Sequence, residues 1–380
     1  MRILHLVATI DPRAGGVSEA IRTLLTYGPA DCQQEVATLD DPAAPFLAEL
    51  PVPVHAFGPA TSTYAYSAKL LPWLVANRDR FDAVYVHGLW GYITRAARRA
   101  LAGHTPYAVF PHGMLDPYFK RAFPLKHVKK WLYWLPVEYW VLRDASKVIF
   151  TCQAEAELAK QSFWLHCWNP AVVAFGATAP EGDLTAQREA FLTQFPQLQG
   201  RRFLLYLGRI HPKKSCDLLI EAFLKTAATD PGLDLVMAGP DPDHWQTTLM
   251  QSVTAAGLAP RVHWTGMLQG DLKWGAFLAC EAFILPSHQE NFGLAVAEAM
   301  ACGRPVLLSD KVNIAPDIAA DHAGLMEPDT PAGTLHLLER WIALPPVERE
   351  VMSAQARITF DQRYDMRRNA PAILRLFEKS

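Results

Sequence analysis

The stretch Ile284-Leu-Pro-Ser-His-Gln-Glu-Asn-Phe-Gly-Leu-Ala-Val-Ala-Glu-Ala-Met-Ala-Cys-Gly-Arg-Pro-Val306 decides the fold. An apolar, β-rich run ends near Pro286. A polar loop follows, then a helix of small apolar residues that begins near Phe292. After a turn, Pro305–Leu308 is apolar again. Strand, loop, helix, turn and strand in so short a space make one crossover unit of a parallel sheet. The amides of Phe292, Gly293 and Leu294 are expected to be first-turn donors, and such a helix end favours an anion such as a diphosphate. Gly293 lets a ligand approach the backbone.

The same alternation extends outward in both directions. Ahead of this unit, Phe203–Gly208, Asp234–Ala238, Arg261–Thr265 and Ala282–Pro286 read as strands, each followed by a helix-like segment. Earlier still, a first series reads as strands at 2–9, 34–39, 52–57, 82–87, 106–111, 147–151 and 171–175, with helical patterns at Val17–Tyr27, Ser67–Asn77 and Tyr92–Ala102. Several runs are almost wholly apolar, as strands covered on both faces are. A polar stretch near 176–182 parts the two series. The fold class is therefore α/β with two doubly wound, Rossmann-like domains, and 380 residues accommodate both. The last segment, 353–380, reads as an amphipathic helix. Ligands of such sheets bind at the carboxyl ends of strands, so the natural site is the cleft between the domains.

Composition narrows the function. Half of the residues are hydrophobic, 19% are charged and the net charge is −2, which disfavours disorder and a nucleic-acid partner. The cysteines Cys32, Cys152, Cys167, Cys216, Cys280 and Cys302 include no C-x-x-C pair, so neither a zinc site nor a redox dithiol is indicated, and their scatter suits a reducing cytosol. The apolar run within Met1–Ile10 is too short for a secretion signal and reads as a first strand. No run reaches the roughly 20 apolar residues of a membrane span. The longest candidate, Trp131–Leu142, is interrupted by Pro136 and Glu138.

Two carboxylates frame the deciding stretch. Glu298 stands in an otherwise apolar helix, where a carboxylate is costly unless paired. Ribose hydroxyls would satisfy it, as would a backbone amide or a basic side chain. Glu290 stands earlier, in the polar loop, with seven residues between the two. This arrangement resembles the E-x7-E motif of glycosyltransferase family 4, retaining enzymes of GT-B fold. Ala299-Met-Ala-Cys-Gly-Arg-Pro-Val306 also matches that family's helix-turn-strand pattern. The resemblance implies that Glu298 binds the donor ribose, that Glu290 contacts the donor sugar, and that the amides of Asn291, Phe292, Gly293 and Leu294 meet sugar and phosphate.

Other strand-end motifs fit the same frame. Gly208-Arg-Ile-His-Pro-Lys-Lys-Ser-Cys-Asp-Leu218 can turn Arg209 and Lys214 toward a departing diphosphate, where two cations stabilise developing charge. It is similar to the family's Gly-Arg-x4-Lys-Gly segment, with Ser215 in place of the usual glycine and Lys213 as the rival lysine. Gly15-Gly16-Val17 follows the first strand; it is no dinucleotide fingerprint, and in the resembling family such a loop covers the donor phosphates. His112, in Phe110-Pro-His-Gly-Met-Leu-Asp116, resembles the family histidine that touches the donor sugar. His87 and Trp90, in Val86-His-Gly-Leu-Trp90, with Asp116, are acceptor-side candidates. Asp241 and Met267 end strands whose loops, the resemblance implies, border the nucleobase.

Basic and aromatic residues interleave in Phe119-Lys-Arg-Ala-Phe-Pro-Leu-Lys-His-Val-Lys-Lys-Trp-Leu-Tyr-Trp134. That composition suits either a lipid headgroup layer or a helix packed on the first domain.

The resemblance implies three segments: an acceptor domain at 1–177, a nucleotide-sugar domain at 178–358 and a helix at 359–380 returning to the first domain. It implies a retaining transfer of a hexosyl unit to a glycan or lipid-linked acceptor in bacterial polysaccharide assembly, in the cytoplasm or at the inner face of its membrane. His112, Glu290, Arg209 and Lys214 would carry the chemistry. No Asp-x-Asp signature is present, so neither a metal nor another cofactor is expected. A nucleotide-sugar epimerase of the same fold and a non-catalytic sugar-nucleotide-binding protein stand as alternatives. A pyridoxal phosphate phosphorylase, with its longer chain, and a dehydrogenase, with its glycine fingerprint, fit less well.

Overall fold

The computed structural model describes residues 1–60 and 62–378 and divides into two compact units. One comprises Met1–Phe175 together with the chain from Met366 onward; the other is Gly176–Asp365. The sequence had placed these divisions at 177/178 and 358/359.

The first unit is built on seven parallel strands, β1 (Arg2–Val7), β2 (Gln33–Thr38), β3 (Val54–Ala56), β4 (Ala83–His87), β5 (Tyr107–Phe110), β6 (Lys147–Phe150) and β7 (Pro170–Val172), in the order β3-β2-β1-β4-β5-β6-β7. The second has β8 (Arg202–Leu207), β9 (Leu233–Ala238), β10 (Val262–Gly266), β11 (Ala282–Leu285), β12 (Val306–Ser309) and β13 (Gly324–Glu327), in the order β10-β9-β8-β11-β12-β13. All pairings are parallel, with β1 flanked by β2 and β4, and β8 by β9 and β11. Each sheet therefore reverses its winding direction at one place, β1/β4 in the first and β8/β11 in the second. Ligand crevices of this architecture open beyond the carboxyl ends of that pair. The strands β4, β5, β9, β11 and β12 are buried throughout, which accounts for their predominantly apolar composition, with His87 and Asp234 as buried polar exceptions.

Three elements differ from the sequence reading. β13 was not foreseen: it is a short edge strand whose last two residues are only half-buried, so its apolar signal is weak. The segment 353–380 is not one helix. A helix Pro346–Thr359 runs into a π-turn, Phe360–Tyr364, and a separate helix, Met366–Leu374, begins after extended Asp365. Phe360 and Tyr364 thus stay in the second unit, and only the final helix belongs to the first, where the Tyr85 hydroxyl donates to the Ile373 carbonyl at 2.7 Å. Residues 379–380 of that expected helix lie outside the described residues. The segment 119–134 is likewise broken, into Tyr118–Ala122 and Pro124–Tyr133, because Pro124 suits a helix start and not an interior. A π-turn, Trp134–Glu138, takes in Pro136.

Candidate functional site

At the winding reversal of the second sheet, the loops after β8 and β11 are tied to each other. The Lys213 carbonyl accepts from the His288 amide at 3.0 Å and from the Ser287 hydroxyl at 3.1 Å. The loop after β11 is also held from β12: the Glu290 amide donates to the Lys311 carbonyl and the Asn313 amide to the Glu290 carbonyl. On this frame Lys214 and Glu290 form an ion pair between mostly covered side chains. Burial raises the Glu290 carboxyl, but the Lys214 ammonium and the Asn291 amide outweigh it and hold the group below the usual range. Arg209 is exposed and has no ion-pair partner among the described residues; its carbonyl accepts from the buried Tyr206 hydroxyl at 2.7 Å, which anchors the loop.

Lys214 closes a short 3-10 turn, and Ser215 follows with φ 55° and ψ 39°. This left-handed geometry is what glycine supplies without cost. Ser215 adopts it while fully buried, and its hydroxyl has no hydrogen-bond partner. The helix Cys216–Thr226 starts there regardless.

The helix carrying Glu298 starts at Leu294, later than the sequence reading placed it. Gly293 precedes it at φ 79°, and a side chain there would press on Val296 and Glu290. The left-handed turn delays the helix, so the amides of Phe292 and Gly293 belong to the loop and Leu294 occupies the first helical position, whose N–H has no intrahelical acceptor. Glu298 is buried and accepts a hydrogen bond from the Lys273 ammonium at 2.8 Å. A basic side chain therefore satisfies the carboxylate that the sequence had offered either to ribose or to such a partner. Lys273 went unrecognised; its only signal is its place in the helix Gly270–Ala279, whose strand-end loop includes Met267, itself exposed. Asp241 is engaged locally, accepting from the Trp245 and Gln246 amides ahead of the helix Gln246–Ala255.

In the first unit, Gly15 (φ 91°) caps the helix Gly16–Tyr27, and both glycines are exposed just past β1. His112 follows β5 with φ 48°, a conformation uncommon outside glycine. Its loop is pinned by Glu155, whose carboxylate accepts from the amides of Gly113 (2.8 Å) and Thr151 (2.7 Å) and from the Thr151 hydroxyl. Glu155 was legible only as an acidic residue in the first turn of the helix Gln153–Ala159.

The acceptor-side candidates occupy other surroundings than expected. His87 is 2% exposed and lies behind His112, Nδ1 to Nε2 3.1 Å, so it supports that ring and lines no surface. Trp90 packs on Trp134 and Phe163, with the Lys130 ammonium over its ring at 4.4 Å and its amide donating to buried Glu138. Asp116 accepts from the Tyr118 amide at the start of a helix. A surface hollow of about 640 Å³ lined by Arg202, Glu281, Arg304 and Arg349 sits at the amino ends of β8 and β11, away from all these loops. Arg202 and Arg349 there are both paired with Glu281.

Residues 187–359 match the family described as "Glycosyl transferases group 1", and residues 15–176 match the "Glycosyl transferase 4-like domain". A D-inositol 3-phosphate glycosyltransferase from Saccharomonospora viridis is 30% identical over 190 residues, 47% of this chain and 42% of that protein. One from Mycolicibacterium gilvum is 32% identical over 179 residues, 45% and 38% of the two chains. The chain thus matches less than half the length of these relatives. Among solved structures, Anabaena HepE in complex with UDP and glucose shares the fold at TM-score 0.74, with 20% identity and 98% of each chain covered. WaaG, a glycosyltransferase involved in lipopolysaccharide biosynthesis, has TM-score 0.72 and 15% identity, with 100% of each chain covered. The fold of this chain is that of the GT-B glycosyltransferases.

Proposed function

Because the chain belongs to the group 1 glycosyl transferases, we propose that it moves a hexosyl unit from a nucleotide-sugar donor to a glycan or lipid-linked acceptor, with retention at the transferred carbon. The observation that carries this reading is the pairing of two strand-end loops at the winding reversal of the second sheet, with Lys214 and Glu290 joined and Glu298 one helix turn and more beyond. In that reading the diphosphate lies over Arg209, Lys214 and the loop amides from Asn291 to Leu294. Cations and oriented amides fixed before the reaction stabilise charge on the leaving group without a divalent ion. Glu298 turns from Lys273 to the ribose, or shares both. Glu290 orients the sugar, and Met267 borders the nucleobase. Gly15, Gly16 and His112 are the donor-binding candidates carried by the first unit. Glu290 is engaged by Lys214, and the sequence offers no obvious pair of carboxylates as nucleophile and acid, so a same-face displacement assisted by the leaving phosphate is favoured. HepE, in complex with UDP and glucose, is a relative by fold that accords with such a donor.

Calorimetric titration of UDP, GDP, ADP and TDP into wild type and Glu298→Ala, without added metal, tests the donor site. One diphosphate binding at micromolar strength and lost in the variant supports the reading. Equal binding by both proteins, or none, removes its main support. An epimerase would turn over donor without acceptor, and a non-catalytic binder would release no diphosphate.

The same reading includes contact with a membrane surface, the place of a lipid-linked acceptor. Leu125, Val128 and Leu132 on the helix Pro124–Tyr133 are 80%, 60% and 78% exposed, and Leu135 and Trp164 extend the stripe. Apolar residues at helical spacing normally face a core. Here they face outward beside exposed Arg121, Lys126 and Lys129, a pairing of apolar surface and positive charge that suits anionic headgroups.

A further inference from the structure

Three histidines of the first unit form one hydrogen-bonded line. His112 Nε2 lies 3.1 Å from His87 Nδ1, His87 Nε2 lies 3.0 Å from His5 Nδ1, and His5 Nε2 lies 3.0 Å from Gln34 Oε1. Neighbouring strands make the line possible: His5 is on β1, His87 ends β4, and His112 follows β5. Phe110 stacks on both His87 and His112, with ring planes 6° and 17° apart, which fixes the imidazoles edge to edge. Burial holds His5 and His112 at about 4, and His87 well below its ordinary value with help from its two neighbours. All three are therefore neutral near neutrality, each with one N–H and one lone pair.

The direction of that line is decided at its far end. The Gln34 amide nitrogen faces the Leu24 carbonyl at 3.4 Å. Turning the amide over would set two carbonyl oxygens against each other. Gln34 Oε1 therefore faces His5 and accepts from its Nε2–H. His5 Nδ1 must then accept from His87 Nε2–H, and His87 Nδ1 from His112 Nε2–H. Gly28 makes room for this arrangement, since a β-carbon there would stand 2.2 Å from the Gln34 amide nitrogen. His112 Nδ1, the last atom of the line, has no protein partner among the described residues.

We propose that Gln34, acting through His5 and His87, fixes the tautomer of His112 so that it presents the Nδ1 lone pair to a hydroxyl of its sugar substrate. Gln34, His5 and His87 are positioning residues, remote from the reacting atoms. Their effect differs from simple packing because it sets the polarity of one atom. The part concerning sugar rests on the transferase reading; the part concerning the tautomer does not.

Long-range proton–nitrogen NMR of the full chain labelled with ¹⁵N-histidine tests the tautomer directly. In wild type between pH 6 and 8, His5, His87 and His112 should each show a protonated Nε2 and an unprotonated Nδ1. Gln34→Leu, and separately His5→Phe, which keeps the ring stack, should release His112 into exchange between both forms. An Nδ1-protonated or exchanging His112 in wild type overturns the proposal. So does a His112 that stays locked in both variants.

The sugar contact is read by titrating UDP-, GDP-, ADP- and TDP-glucose beside the bare diphosphates. Gln34→Leu should weaken the sugar nucleotide roughly threefold to tenfold, the range of one neutral hydrogen bond, and leave the diphosphate unchanged. Equal affinity for the sugar nucleotide in wild type and variant overturns the sugar contact. If no sugar nucleotide binds wild type, the proposed transferase function falls, and the spectra still decide the tautomer.

Discussion

Lys214 and Glu290 reach each other from the loops after adjacent strands, β8 and β11, and both side chains are mostly covered. Breaking such a pair leaves one charge uncompensated. Lys214→Met is expected to cost about 1.5–3 kcal/mol of stability, the scale of a charged hydrogen bond, and Glu290→Gln added to it should restore part of the loss. Urea unfolding of the single and double variants measures this. In the proposed reaction Lys214→Met should also slow diphosphate release by roughly 10²-fold or more.

The same pair sets a pH dependence. The Glu290 carboxyl is held below its unfolded value, so its stabilising effect is full above that value and is lost as pH falls through the folded one. Stability curves of wild type and Glu290→Gln should therefore run parallel from pH 6 to 8 and converge below about pH 4.

Ser215→Gly is expected to stabilise the chain by about 1 kcal/mol, because a serine there carries left-handed strain. Removal of a buried hydroxyl without a partner acts in the same direction. A rise in melting temperature of roughly 2–4 °C would register it. An unchanged or lower value would show that the serine is held by something other than the backbone.

Glu138 is fully buried, and burial pushes its carboxyl up to about 7 against the opposing pull of the Trp90 amide, the Thr94 hydroxyl and Lys130. An acid raised on folding contributes stability that is complete below its unfolded value near 4.5 and is lost as pH rises through 7. Wild type should therefore lose on the order of 2–3 kcal/mol between pH 4.5 and 8 from this group. Glu138→Gln keeps an acceptor for Trp90 and should abolish that slope, which unfolding midpoints at pH 5 and pH 8 compare.

The outward stripe predicts sedimentation with vesicles of anionic lipid and release by salt. Each of Val128→Glu and Leu132→Glu should weaken that binding by roughly tenfold or more, since each removes on the order of 1.5–3 kcal/mol of apolar burial. Binding that ignores both substitutions would refute the membrane contact.

The parallel sheets were legible because buried central strands such as β5, β11 and β12 leave apolar runs, and the alternation with helices placed the shorter edge strands. β13, four residues long and half-buried at its end, was missed. Where a single backbone angle governs, the sequence spoke less clearly. The helix start at Leu294 depends on the φ of Gly293, and periodicity does not register it. Glu290, Lys214 and Glu298 were singled out by their types and spacing. Lys273, Gln34 and Glu155 were not, because each acts through a partner distant in the chain: 25, 29 and 42 residues from Glu298, His5 and Gly113. His87 was assigned a surface role because a strand end does not reveal which side chains stop short of solvent.

The return of the final helix to the first unit also fixes an order of events during synthesis. Tyr85 finds its acceptor at Ile373, 288 residues later. At roughly 5–20 residues per second, a ribosome takes about 15–60 seconds to close that gap. The second unit, contiguous from Gly176 to Asp365, has its whole sequence available first. The half of the chain made earliest is thus the last to be completed, and a nascent first unit must wait with the ground beneath Tyr85 uncovered.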